Sequence, residues 1–125
     1  MAGPAPGFIK YPEHQVKIEP SASHVRVRVG DTVIADTREA VLVRESRHEP
    51  AWYLPMASVD PSVIEATATS TYCPFKGDAS YWSIRAGGKT LPDSMWSYQA
   101  PFDECLPIAG HVAFYADRVT VEVDP

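Results

Sequence analysis

The chain of 125 residues has little cysteine, no surplus of positive charge and no long apolar run, and each shortage excludes a class of protein. Its two cysteines, Cys73 and Cys105, lie far apart and lack the Cys-x-x-Cys spacing of zinc knuckles or thiol redox motifs. They are too few for a disulfide scaffold, so both are expected as reduced thiols of a cytoplasmic protein. Lys and Arg number 11 against 16 Asp and Glu, a net charge of -5, which leaves no overall positive field to collect phosphate backbones. Nucleic acid is not an expected partner. No stretch reaches the roughly 18–20 apolar residues of a membrane span. The opening residues MAGPAPGFIK lack an apolar stretch behind a basic start, so neither a membrane partner nor a secretory signal is expected. Also missing are a glycine-rich phosphate loop, a Gly-x-Ser-x-Gly elbow and a His-Glu-x-x-His helix. The histidines His14, His24, His48 and His111 are dispersed, and nothing in their spacing asks for a metal. Neither a metal nor a cofactor is expected.

Proline, by contrast, is abundant: 12 residues spread along the whole length, about twice the average share. Each fixes φ and removes a backbone donor, so almost no window remains for a long helix. The fold class read from this is all-β, with short antiparallel strands in a curled, tent-like or barrel-like sheet and at most short helical turns. A hydrophobic share of 45% with 22% charged residues is that of a folded chain with a core. In His24 to Val29 the three valines alternate with His24, Arg26 and Arg28, the period of a strand with one buried face. Gly30-Asp31 then offers a two-residue turn, and Thr32 to Ala35 returns as a hairpin partner. Ala40 to Arg44 is a further apolar run, and Tyr81 to Ala86, Gly87-Gly88 and Lys89 to Leu91 form a second hairpin. Near the end His111 to Tyr115 and Val119 to Val123 both alternate, and they are expected to pair with each other. Residues 1–13 mix Gly and Pro and read as a flexible N-terminal arm, ahead of a single β domain over 14–125 in which Val16 and Ile18 add an edge strand. Asp60 to Glu65 reads as one helical turn, with Asp60 as cap and Pro61 at the first position.

Polar residues suited to chemistry gather in three segments. Arg44-Glu45-Ser46-Arg47-His48-Glu49-Pro50 leaves a strand end with a base, an acid and an imidazole; its ordinary alternative is a solvated charged turn. Glu45 alternates with Val41 and Val43, so the period of two turns its carboxylate toward the apolar face. Tyr72-Cys73-Pro74-Phe75-Lys76-Gly77 brings Cys73 and Lys76 within one tight turn, where an ammonium beside the sulfur would favour a thiolate nucleophile. Against this, a free cysteine is among the most buried residue types, and Lys76 serves equally as a point charge for an anion. Trp96-Ser97-Tyr98 sets two aromatics on one face of an extended segment, as core or as pocket lining.

At Thr71-Tyr72-Cys73-Pro74-Phe75-Lys76-Gly77 with Ala79-Ser80-Tyr81-Trp82, the chain resembles DUF427, a family of small proteins of undetermined function. The resemblance continues upstream through Val25-Arg26-Val27, Ile34-Ala35-Asp36-Thr37 and Glu45-Ser46-Arg47-His48-Glu49-Pro50 to Tyr53 and Pro55. Downstream it takes in Trp96-Ser97-Tyr98, Pro101, Ile108-Ala109-Gly110 and Ala113-Phe114-Tyr115. In the arm, Pro6-Gly7-Phe8 and Pro12-Glu13-His14 resemble the start of one subgroup. The resemblance implies an all-β tent related in shape to the Mss4-like zinc proteins. The paired Cys-x-x-Cys knuckles of those proteins are absent, so their zinc is not carried over. A nucleotidyltransferase label attached to the family implies an acidic pair holding Mg²⁺ near a Gly-Ser turn, and this chain has neither Asp-x-Asp nor Gly-Ser.

The family pattern falls on Glu45, His48, Tyr53, Cys73, Lys76, Tyr81, Trp96 and Tyr98, which are expected to line one pocket. Glu45, His48, Lys76 and Cys73 are the catalytic candidates; Arg44, Tyr53, Tyr81, Trp96 and Tyr98 are the ligand-binding ones. The sharpest expectation is that Glu45 and Lys76 face one another across a shared cavity. Two functions follow: a domain, with or without catalysis, for a small anionic molecule, or a non-catalytic homodimeric module whose interface is built from Trp52, Trp82 and Trp96.

Overall fold

The structure is a computed structural model and describes residues 3–125. Its strands run β1 Val16–Pro20, β2 His24–Val29, β3 Thr32–Thr37, β4 Val41–Glu45 and β5 Ala51–Pro55, then β6 Ile64–Cys73, β7 Gly77–Ala86, β8 Lys89–Ser97, β9 His111–Phe114 and β10 Thr120–Asp124. All strand pairs are antiparallel. The larger sheet has the order β1-β4-β5-β9-β8-β7-β6 and the smaller one β10-β2-β3. Both end in free edges, so the sheets do not close into a barrel; the larger one curls. Helix among the described residues is confined to α1, Gly7–Lys10, and three 3₁₀ turns.

Both hairpins turn where local chemistry asks. Gly30 has φ +59, as the first central position of a type II′ turn requires, while Gly87 and Gly88 have φ +58 and +74, the pair of positive angles of type I′. A Cβ on Gly87 would lie 2.6 Å from the Val29 carbonyl oxygen, so glycine also allows the hairpin tip to close on the smaller sheet. The helical turn expected over Asp60 to Glu65 is shorter: Asp60 caps a 3₁₀ turn at Pro61–Val63 by accepting from the Ser62 amide at 3.0 Å, and β6 begins at Ile64. Ile64 extends because it pairs with Ile84, and that ladder outweighs the weak tendency of a single turn to continue.

The expected pairing of the last two strands is overturned. β9 lies between β5 and β8 in the larger sheet, whereas β10 crosses to the smaller sheet and pairs with β2. Charge and burial explain the choice. Arg28 makes a two-pronged contact with Glu122, both N–O distances 3.0 Å, and Arg26 reaches Asp124 at 3.2 Å. Val119 and Val121 meanwhile join the apolar layer between the sheets.

That layer comprises Val25, Val27, Ile34, Leu54, Ile84, Met95 and Val112, all almost fully buried. Alternation along β5 and β9 gives the larger sheet a second buried face: Tyr53 and Ala113 leave the first layer and join Val43, Ala79, Cys105 and Ile108. The candidate site lies on this second face. The segment read as a mobile arm is, from Gly3 onward, laid against the same side; its first two residues lie outside the described ones. Ala5 is buried and donates its amide to Glu104 at 2.8 Å, the Gly7 amide bonds the Pro74 carbonyl at 2.9 Å, and Phe8 meets Phe75 edge to face at 5.0 Å.

Candidate functional site

A cavity of about 580 Å³ opens on the second face, walled by β4, β5, β7 and β8 and by the β6–β7 turn. Its charged floor is built from both ends of the larger sheet. Along β4, Val41 and Val43 are buried and Glu45 follows on their side, while Leu42 and Arg44 alternate to the other. At the opposite end Pro74, Phe75 and Lys76 form a turn whose three carbonyls are all engaged. Pro74 accepts from the Gly7 amide, Phe75 from the Cys105 thiol at 3.5 Å, and Lys76 from the Phe102 amide at 3.0 Å. The turn is thereby held rigid, and the Lys76 side chain, 8% exposed, bonds Glu45 Oε1.

The second Glu45 oxygen accepts from His14 Nε2 at 2.8 Å. The strand register explains this meeting. Val16 pairs with Glu45, the Ser46 amide donates to the Gln15 carbonyl at 2.9 Å and the Gln15 amide to the Ser46 hydroxyl at 2.9 Å, which brings His14 beside the strand end. Phe75 stacks on the imidazole, centroids 3.9 Å apart and planes inclined by 16°. Burial pushes the Glu45 carboxyl up, but the hydrogen bond and charge of Lys76, the His14 bond and the His48 charge outweigh it and hold the carboxyl below its ordinary range.

Aromatic rings complete the walls. Trp96 donates its indole N–H to the Tyr53 hydroxyl at 3.1 Å, and the two rings meet at right angles. Tyr98 presents its ring to Lys76, with Nζ 5.9 Å from the centroid. Tyr81 shares a 2.9 Å hydrogen bond with Thr71. Burial pushes the phenols of Tyr53 and Tyr98 well above the ordinary tyrosine range, so both stay protonated.

Of the nine residues named from sequence, Glu45, His48, Tyr53, Cys73, Lys76, Tyr81, Trp96 and Tyr98 line this cavity. They do so unequally. His48 stands at the rim, 63% exposed and 4.0 Å from Glu45, and Cys73 is a partly buried wall residue. Arg44 is not brought to the site: alternation turns it away, and it lies 3.3 Å from Glu19 on the outer face. The residue that sequence reasoning missed is His14, whose Nε2 lies 2.8 Å from Glu45. The signal for it was the Pro12-Glu13-His14 element of the resemblance. Phe75, Tyr72 and Tyr115 are further lining residues outside the candidate set. Trp52 and Trp82 pack partly buried on the layer between the sheets, and Trp96 lines the cavity.

Among the described residues no three His, Cys, Asp or Glu side chains are grouped to hold a metal ion. No helix there is long and apolar enough to cross a membrane. The molecule is thus an open two-sheet β protein with a charged, aromatic-walled cavity on the larger sheet. Residues 17–125 match the family model described as Domain of unknown function (DUF427), and the chain belongs to that family. No curated protein matches the chain.

Proposed function

We propose that the chain binds a small organic anion with a flat apolar portion in the cavity between β4 and the β6–β7 turn. The observation that carries this reading is the use made of the Lys76 ammonium. It has three N–H donors, and among the described residues Glu45 is its one hydrogen-bond acceptor. The remaining donors are available to a ligand oxygen, and a buried ammonium gains from such a partner. Glu45 spends both oxygens on Lys76 and His14, whereas Tyr53 and Tyr98 keep their hydroxyl hydrogens. Around Lys76 the cavity therefore offers free donors, which favours an oxyanion there, while the Glu49 carboxylate lines it elsewhere. Its volume of about 580 Å³ suits a small ligand, and Tyr81, Trp96 and Tyr98 offer faces to a planar group. Free thiols at Cys73 and Cys105 accord with a reducing compartment, and we read the protein as cytoplasmic.

The test uses benzoate and phenylacetate as probes, followed by quenching of tryptophan fluorescence, with native mass spectrometry of the freshly purified protein. Saturable quenching, weakened about tenfold or more in Lys76→Met, supports the reading. Absence of saturation with both probes, together with no copurifying small molecule, overturns it.

A further inference from the structure

Resting on that reading, we propose that His14 is the proton acceptor of the cavity and that the ligand is a 2-oxo acid with an apolar side chain, enolised at the carbon next to its carbonyl. The inference begins with the tautomer. An ionised carboxylate only accepts hydrogen bonds, so the 2.8 Å contact with Glu45 requires the hydrogen to sit on His14 Nε2. In the neutral ring Nδ1 is then a bare lone pair, and among the described residues it has no protein partner. A carboxylate behind an imidazole fixes its tautomer and orientation and stabilises the imidazolium formed on protonation. Stacking on Phe75 and the contact with Glu45 hold the ring in one pose, 15% exposed at the cavity wall.

Lys76 supplies the complement. Glu45 holds imidazole and ammonium on the two oxygens of one carboxylate, and both side chains line the same cavity. In the step, the C–H bond beside the carbonyl breaks and its proton passes to His14 Nδ1. The electron pair forms the carbon–carbon double bond, and the carbonyl π pair moves onto oxygen, where the Lys76 N–H donors stabilise the enolate. Return of a proton from the imidazolium completes the cycle, and no further reactant is needed. His14 lies before the residues matched to the family, 17–125, so the stretch ahead of β1 contributes a residue outside the matched ones.

The test follows loss of the methylene proton signals of phenylpyruvate in D₂O by NMR. Binding is measured in parallel by tryptophan fluorescence and folding by circular dichroism. The protein should accelerate exchange over buffer on the order of 10²-fold. His14→Gln keeps an N–H donor for Glu45 but has no basic lone pair; it should bind the probe and return exchange to background. Glu45→Gln should slow exchange more than it weakens binding, as expected of a positioning residue. His24→Gln, which alters a histidine bonded to Asp36 on the smaller sheet, should leave the rate unchanged. Binding of phenylpyruvate without accelerated exchange, or full exchange in His14→Gln, overturns the role of His14 and leaves the binding reading standing. Binding of benzoate but not phenylpyruvate overturns the 2-oxo acid class, and binding of neither, with no copurifying small molecule, overturns both readings. Independently of any ligand, nitrogen NMR showing the neutral His14 proton on Nδ1 would overturn the inference.

Discussion

Glu45 and Lys76 touch although the strands that carry them lie far apart in the sheet. Glu45 ends β4, second in the order, and Lys76 precedes β7, sixth in the order. In a flat sheet four strand spacings would separate them by about 19 Å, beyond the reach of the two side chains. The contact therefore requires the curl of the sheet, and the cavity is the hollow that the curl encloses. The charged pair and the shape of the sheet depend on one another.

This dependence can be measured through stability. Lys76→Met or Glu45→Gln alone leaves one buried charge without its opposite charge and should cost on the order of 3 kcal/mol. The double variant removes the mismatch and should recover much of that loss. Urea unfolding of the four proteins gives the coupling; additive losses would show that the pair does not act as a unit.

Acid should weaken the fold through the same group. Because the Glu45 carboxyl is held below its ordinary value of 4.5, it contributes stability that is fully present above the unfolded-state value. That contribution disappears as pH falls through the lower folded-state value. The stability difference between wild type and Glu45→Gln should thus be constant above about pH 5 and shrink below about pH 4. Urea titrations on both sides of those limits check it; a difference that widened in acid would contradict the sign.

The docked arm depends on a glycine. A Cβ on Gly7 would lie 2.7 Å from the Phe75 ring and 2.8 Å from the Pro74 carbonyl oxygen, and the backbone atom cannot yield as a side chain can. Gly7→Ala should loosen residues 3–14 without unfolding the domain. Faster hydrogen exchange at residue 7, whose amide bonds Pro74, with a circular dichroism spectrum like that of wild type, is the expected result.

Thiol chemistry should separate the two cysteines. Cys105 is fully buried, and burial pushes its thiol up to about 11, so it is a poor nucleophile. Cys73 is partly exposed on the cavity wall. Brief treatment of the native protein with iodoacetamide should label Cys73 first, with the second label appearing only on unfolding, as read by peptide mass spectrometry.

The all-β class, both glycine hairpins and the inward aim of Glu45 were legible in the chain, because proline spacing, turn chemistry and two-residue alternation act over a few neighbouring residues. It also carried the family resemblance that collected eight of the cavity residues. Three-dimensional packing settled that β10 leaves β9 for β2, since both strands alternate alike and the choice rests on the Arg28–Glu122 contact and burial between the sheets. It decided, too, that Arg44 faces outward beside Glu19 and that His14 rather than His48 meets Glu45. A strand pattern states which side chains share a face, but which distant segment covers that face depends on how the larger sheet curls and buries both its sides.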